Sequence, residues 1–405
     1  MRSVEEHRAA VLALVPLLSA ERVPVGSALG RVLADDVVAA VDLPGFDNSA
    51  MDGYAVRSAD LLGAAGGSPV RLPVDGDVAA GDTRRHALAP GRTLRIMTGA
   101  PMPEGADAVV PVELTDGGAT EVALRLEPEP GRHVRRRGED VTAGAVVLAA
   151  GSRLGPGHVA LAAAANVADV TVRRLPRVAV VSTGDELVPP GSALAHGQIV
   201  DSNNLMLRAL VEASGAQVAS STHLADDADT VRAFFDAPAG DPDLVITSGG
   251  VSMGVYDTVK EVLTADGGVE FVKVAMRPGM PQGCGVVGPR RVPVVTLPGN
   301  PVSSLVSFHV FVLPALRAMV GLDPVGESFE ATAGSAWPKV AGRVEMTRVV
   351  EEDGVVRPSG GQGSHMLGAL AAATALAVVP ADASAVEAGD RLTCFPLLGR
   401  DRARG

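Results

Sequence analysis

Three apolar runs in the middle of the chain each end on a short turn that carries glycine, and this repeated pattern constrains the fold more than any other feature. Arg177 to Val181 leads into Ser182-Thr183-Gly184-Asp185-Glu186, Asp243 to Ile246 into Thr247-Ser248-Gly249-Gly250-Val251-Ser252, and Val292 to Thr296 into Leu297-Pro298-Gly299-Asn300-Pro301. Short apolar runs bounded by turn residues read as buried strands. Between them lie helix-length segments, Asn203 to Ser214 and Asp229 to Ala237, and a further strand over Gln217 to Thr222. This alternation over residues 174–322 predicts a doubly wound α/β domain. In such a sheet ligands bind beyond the carboxyl ends of the strands, where glycine lets backbone N–H groups approach an anion.

A chain of 405 residues exceeds what one core usually supports, so further domains are expected on either side. Residues 1–44 read as helical and then extended, with Ser3 and Glu6 in capping-box spacing, and stop at Leu43-Pro44-Gly45. Residues 45–141 carry short Val and Leu runs broken by turns such as Asp75-Gly76-Asp77, the pattern of a small β-rich domain. Residues 142–173 hold a helix candidate, His158 to Ala165, expected to pack back on the first segment, which makes the β-rich domain an insertion. Residues 323–405 return to short strands, Arg343 to Val350, Leu376 to Val379 and Arg391 to Phe395, and predict a C-terminal β-barrel. The fold class is therefore α/β plus β-rich and multidomain.

With 47% hydrophobic and only 3% aromatic residues, Val, Ala and Leu must fill these cores. The net charge of −12 argues against a nucleic-acid surface. Cys284 and Cys394 form neither a disulfide framework nor a metal-ligand spacing and read as free thiols of a reducing cytosol. The most apolar long stretch, Leu305 to Val320, is interrupted by His309, Pro314 and Arg317 and reads as too short to cross a bilayer. The expectation is a soluble cytoplasmic protein without a membrane or nucleic-acid partner.

Thr183 or Asp185 alone reads as a helix cap, but Glu186, Asp226, Asp227 and Asp257 gather carboxylates at the same sheet edge. Such groups repel one another unless a cation compensates, and Mg²⁺ held by a few oxygens would bring phosphate with it. Ser248, Gly249, Gly250 and Ser252 suit a nest of backbone N–H groups for an anion; a tight β-to-α connection is the other reading. The spacing is not that of a P-loop. Lys273 and Arg277, placed on one strand, would share a face roughly 13 Å apart and could hold an elongated phosphate-bearing ligand. In the insertion, Asp52-Gly53 within Phe46 to Val56 reads as a hairpin turn, Arg95 to Gly99 ends a strand on Thr98, and Arg132 to Asp140 reads as a solvated hairpin.

Read together, Phe46 to Val56, Arg95 to Ala100, Arg136 to Asp140, Ser182 to Leu187, Ser248 to Asp257, Arg277-Pro278-Gly279, Leu297 to Ser303 and Gly361-Gln362-Gly363-Ser364-His365 resemble the MoeA family of molybdopterin molybdenumtransferases, over nearly the whole chain. The resemblance implies a four-domain elongated subunit. It also implies a homodimer whose cleft lies between the α/β domain of one subunit and the β-rich domain of its partner. The implied reaction is Mg²⁺-dependent: adenylated molybdopterin and molybdate give molybdenum cofactor and AMP. Glu186, Asp226, Asp257 and Asp52 would be the acidic groups of the reaction, with Glu186 and Asp257 as Mg²⁺ ligands. Thr98, Asp140, Thr183, Asp185, Ser248, Gly249, Gly250, Ser252, Lys273, Arg277, Pro298 and Pro301 would bind or shape the substrate site, and Arg348 and Ser364 would bind molybdate. The preceding adenylyltransferase and recipient molybdoenzymes are the implied partners. Arg277 and Met280 depart from many members of that family, which carry Lys at both positions. Two other functions fit the same residues: a scaffold that holds molybdopterin without turnover, and the adenylyltransferase itself.

Overall fold

The computed structural model describes residues 1–251 and 258–399. The chain forms two compact units, one of Met1–Glu21 with Arg173–Gly405 and one of Arg22–Val172.

The first unit is organised by a six-stranded sheet, whose strands are β1 (Arg177–Thr183), β2 (Gln217–Leu224), β3 (Leu244–Ser248), β4 (Val269–Lys273), β5 (Pro281–Val287) and β6 (Val292–Leu297). Their spatial order is β2-β1-β3-β6-β5-β4. The first four run parallel, while β5 and β4 are antiparallel additions. The alternation of side chains along each strand explains why the apolar runs are continuous. Val178, Val180, Leu244 and Ile246 enter one core, and Ala179, Val181, Val245 and Val294 enter another on the opposite face. Helix α1 (Ser202–Ala213) packs Leu207, Leu210 and Val211 into the first core. Helices α2 (Ala228–Asp236) and α3 (Thr258–Ala265) pack Val231, Phe235, Val259 and Val262 into the second. Helices on both faces make the domain doubly wound.

The N-terminal helix Val4–Leu12 has the expected reciprocal capping between Ser3 and Glu6. Residues 1–21 nevertheless belong to the α/β unit, whereas the sequence groups them with residues 22–44. The reason is the buried face of that helix. Val4 and Val11 join the core that contains Phe308, Phe311 and Met319, and His7 meets Phe311 edge-on with ring centroids 4.7 Å apart. Burial pushes the His7 imidazole down to about 4.

The apolar stretch after the third turn forms one helical run, Pro301–Met319, long and apolar enough by length and composition to cross a membrane, and thus longer than the sequence suggests. Of its most apolar window, 83% is buried inside the protein, so it is a core helix here. Pro314 does not end it: a π-helical turn over Phe308–Val312 comes just before, and the proline falls at the start of the following α-helical segment Leu313–Met319, where a missing N–H is tolerated.

Beyond residue 323, five strands close on themselves: Val344–Glu352 pairs with Val355–Pro358, then Phe329–Ala333, Arg391–Pro396 and Ala375–Val379 follow, and the last returns to Val344–Glu352. This is the expected barrel. Lys273 and Arg277 do not share a strand. β4 ends at Lys273, the Val274 N–H turns to the Met280 carbonyl at 2.8 Å, and Met276–Arg277 pairs with Val344 and Glu345 of the barrel. Arg277 also lies 3.6 Å from the Glu345 carboxylate.

In the second unit, residues on both sides of the insertion share a core of Leu33, Val37, Leu148, Leu154, Ala162 and Val170. The insertion carries a five-stranded sheet ordered Ala108–Pro111, Gly53–Val56, Thr93–Ile96, Val70–Val78, Glu121–Leu124. Asp52-Gly53 is not a hairpin turn, since Asn48–Ser49 pairs with Val134–Arg135 while Gly53–Val56 pairs elsewhere.

Candidate functional site

The strand order reverses between β1 and β3, and a cleft of about 560 Å³ opens beyond their carboxyl ends. Open α/β sheets bind ligands at such a switch point. All three strand-end turns line it: Thr183, Gly184 and Glu186 after β1, Ser248, Gly249 and Gly250 after β3, and Gly299, Asn300 and Pro301 after β6. The turns are packed on one another. The Gly249 N–H donates to the Leu297 carbonyl at 3.1 Å, and a Cβ on Gly249 would sit 3.0 Å from the Thr183 hydroxyl. A Cβ on Gly184 would lie 2.6 Å from a Glu186 carboxylate oxygen, so this glycine lets Glu186 fold over its own turn.

The residue that ties the second and third turns together is Asn203, which the sequence places only at the start of a helix. Its side-chain amide donates to the Ser248 hydroxyl at 2.7 Å and to the Gly299 carbonyl at 2.6 Å. Its Oδ1 is buried without a partner. Asp201 caps α1 by accepting from the Asn204 N–H at 3.1 Å, and the Ser182 hydroxyl donates to Asp201 at 2.5 Å, which fixes the helix start against β1. The polar run Asp201-Ser202-Asn203-Asn204 at a helix start is the signal that could have revealed it.

Asp226 lines the cleft, and its N–H donates to Asp185 at 3.1 Å, so Asp185 braces the loop that carries Asp226. Asp227 instead caps α2: the Thr230 hydroxyl and N–H hold its carboxyl below the usual range. His365 reaches the same cleft from the segment between barrel strands, although the sequence reading singles out its neighbour Ser364. Ser364 accepts from the Val302 N–H at 3.1 Å through its carbonyl. That bond satisfies a free donor in the first turn of the helix, whose cap residue Asn300 makes no side-chain capping bond.

Other residues of the expected site stand apart from the cleft lining. Arg348 is 1% exposed, and its guanidinium donates to the carbonyls of Gly361, Met366 and Gly363 at 2.8, 2.9 and 3.2 Å. Pro298 is buried beneath its turn, and Lys273, Arg277 and Met280 are not among the cleft residues. Ser252 and Asp257 lie outside the described residues.

The donor set facing the cleft fits Mg²⁺ arriving with phosphate. Glu186 and Asp226, with the Thr183 and Ser248 hydroxyls, are the hard oxygen groups of the cleft lining that would hold it. Among the described residues no three His, Cys, Asp or Glu side chains group to hold a metal by themselves. One or two carboxylates plus phosphate oxygens is the usual arrangement for this ion.

In the second unit, the three polar segments of the insertion converge on one another. Asp52 accepts from the Thr98 N–H at 2.7 Å and its hydroxyl at 2.8 Å, and these bonds hold the Asp52 carboxyl below its usual range. The Gly99 N–H donates to the Ser49 carbonyl at 2.8 Å and the Ala50 N–H to the His133 carbonyl at 2.9 Å. Arg136 pairs with Asp47 and Arg137 with Asp42, and Val134–Arg135 pairs with Asn48–Ser49, so Arg132 to Asp140 is solvated as expected but is not a hairpin: it is anchored to residues 42–49. Asp140 is exposed, and its N–H donates to the Leu43 carbonyl at 3.0 Å.

Comparison with known proteins agrees with this arrangement. Residues 2–166 match the family description "MoeA N-terminal region (domain I and II)", residues 179–318 "Probable molybdopterin binding domain" and residues 330–397 "MoeA C-terminal region (domain IV)". The chain is 47% identical over 406 residues to molybdopterin molybdenumtransferase 2 of Mycobacterium tuberculosis, covering 98% of this chain and all of that one. It is 36% identical over 407 residues to molybdopterin molybdenumtransferase of Haemophilus influenzae, covering 98% of both. The molybdopterin biosynthesis MoeA protein of Pyrococcus horikoshii superposes with a TM-score of 0.83 at 29% identity, over 97% of this chain and 99% of that one. The chain belongs to the MoeA family.

Proposed function

We propose that this protein inserts molybdate into adenylated molybdopterin, releasing AMP and forming molybdenum cofactor, with Mg²⁺ required. The observation that carries the proposal is the cleft at the switch point. Three turns, two of them locked together through Asn203, line it with the carboxylates of Glu186 and Asp226 and with glycine-borne main chain. The curated relatives carry the name of this transferase.

Glu186 and Asp226 would hold Mg²⁺ together with phosphate oxygens, and the ion when bound neutralises charge that builds as the phosphoanhydride opens. The residues of the chain do the rest. Gly249 and Gly250 let the main chain come close to the phosphate groups, and the Thr183 and Ser248 hydroxyls are placed to hydrogen-bond ligand oxygens. We place the protein in the cytosol, a reading supported by its two buried free thiols, Cys284 and Cys394, and as a homodimer, which the family resemblance implies.

Two assays separate this function from its alternatives. Purified protein given adenylated molybdopterin, molybdate and Mg²⁺ should release AMP in proportion to molybdate, and given ATP with unmodified molybdopterin it should release no pyrophosphate. Tight binding of adenylated molybdopterin without AMP release indicates the scaffold, and pyrophosphate release indicates the adenylyltransferase.

A further inference from the structure

Arg348 is an unusual investment for a barrel strand. A guanidinium that is removed from water is costly unless its donors are used, and here none of them meets a carboxylate. Its guanidinium partners among the described residues are carbonyls of one segment, Gly361 to Met366, and the Arg348 N–H adds a bond to the Gln362 side chain at 3.1 Å. Burial lowers the pKa of the guanidinium. The same segment is fastened at its other side, where the Ser364 carbonyl takes the Val302 N–H. Between these two anchors stands His365, which is exposed and faces the cleft beside Asn300 and Pro301. The ring lies against Gly363, where a Cβ would fall 3.0 Å from its Cε1 and 3.3 Å from its Nδ1.

We propose that His365 contacts the phosphate of the nucleotide-bearing ligand in this cleft, and that Arg348 is a positioning residue that sets the loop on which His365 stands. An imidazole N–H supplies a donor beside the uncharged Asn300 and Pro301 of the cleft. Arginine suits the positioning role because its planar fork reaches several carbonyls at once, which a lysine ammonium on a flexible stem cannot reproduce.

The inference rests on the proposed function, and AMP serves as the probe. Titration of AMP into the full-length protein should show binding weakened about tenfold by His365→Ala, the size of one hydrogen bond to a charged group. Arg348→Lys and Gly363→Ala should each weaken it in the same direction. The double variant Arg348→Lys/His365→Ala should bind no more weakly than His365→Ala alone, because both act through one ring. Unchanged AMP affinity in His365→Ala, or effects of the two substitutions that multiply, overturns the proposal. Wild-type protein that binds AMP yet never releases it from adenylated molybdopterin sinks the proposed function and leaves this contact standing. Turnover with undiminished affinity in His365→Ala does the reverse. Failure of the wild type to bind either AMP or adenylated molybdopterin overturns both.

Discussion

Glu186→Gln should reduce molybdate-dependent AMP release by at least about 100-fold while the protein remains folded, since removing one electrostatic contact to a developing charge typically costs that much. Glu186 is exposed, it lines the cleft and its carboxylate lies over the Gly184 main chain. Glutamine keeps the shape and one acceptor oxygen but removes the negative charge, so packing around Gly184 is preserved. AMP release should therefore fall without a change in thermal unfolding. Turnover by Glu186→Gln at the wild-type rate would remove Glu186 from the mechanism and leave Asp226 as the only acidic cleft residue among the described residues with a proposed role in the reaction.

Gly250→Ala should be the most damaging conservative change in the turns. Gly250 has φ of +75°, which a residue with a Cβ adopts at a cost of roughly 1–3 kcal/mol. The new Cβ would also fall 2.5 Å from the Val259 Cβ, on a buried position of α3, and overpacking of that kind costs about 1–3 kcal/mol more. The expected sum is about 2–6 kcal/mol, accompanied by loss of ligand binding as the turn moves off Thr183. Gly267→Ala is the control, because Gly267 also has a positive φ, +69°, but open space around it. Chemical denaturation of the two variants should separate them by the packing contribution. Equal stability would mean that the turn relaxes away from α3 without cost.

How far the sequence carries this account depends on the range of the interactions involved. Elements set by local pattern are legible: the strands before Gly184, Gly249 and Gly299, the Ser3 and Glu6 capping pair, and the barrel strands all follow from periodicity and turn chemistry. What is not legible depends on contacts between distant segments. The helix Val4–Leu12 joins the α/β core because its buried face fits Phe308 and Phe311, about 300 residues later in the chain. Lys273 and Arg277 look like one strand face, but the Val274 to Met280 bond divides them between two sheets. Asn203 and His365 enter the cleft from a helix start and a loop whose partners lie tens of residues away. Arg348 illustrates the limit most clearly. Its charge suggests an anion, and only its burial and its carbonyl partners show that it builds a loop.

The central claim is that the cleft beyond β1, β3 and β6 holds the nucleotide-bearing ligand. A crystal structure of the protein soaked with AMP, molybdate and Mg²⁺ tests it directly. The account predicts nucleotide phosphate density against Thr183, Ser248 to Gly250 and His365, with Glu186 and Asp226 facing it. Nucleotide bound instead in the apolar cavity between Met206, Leu305, His309 and Leu397, with the switch-point cleft holding only water, would contradict it.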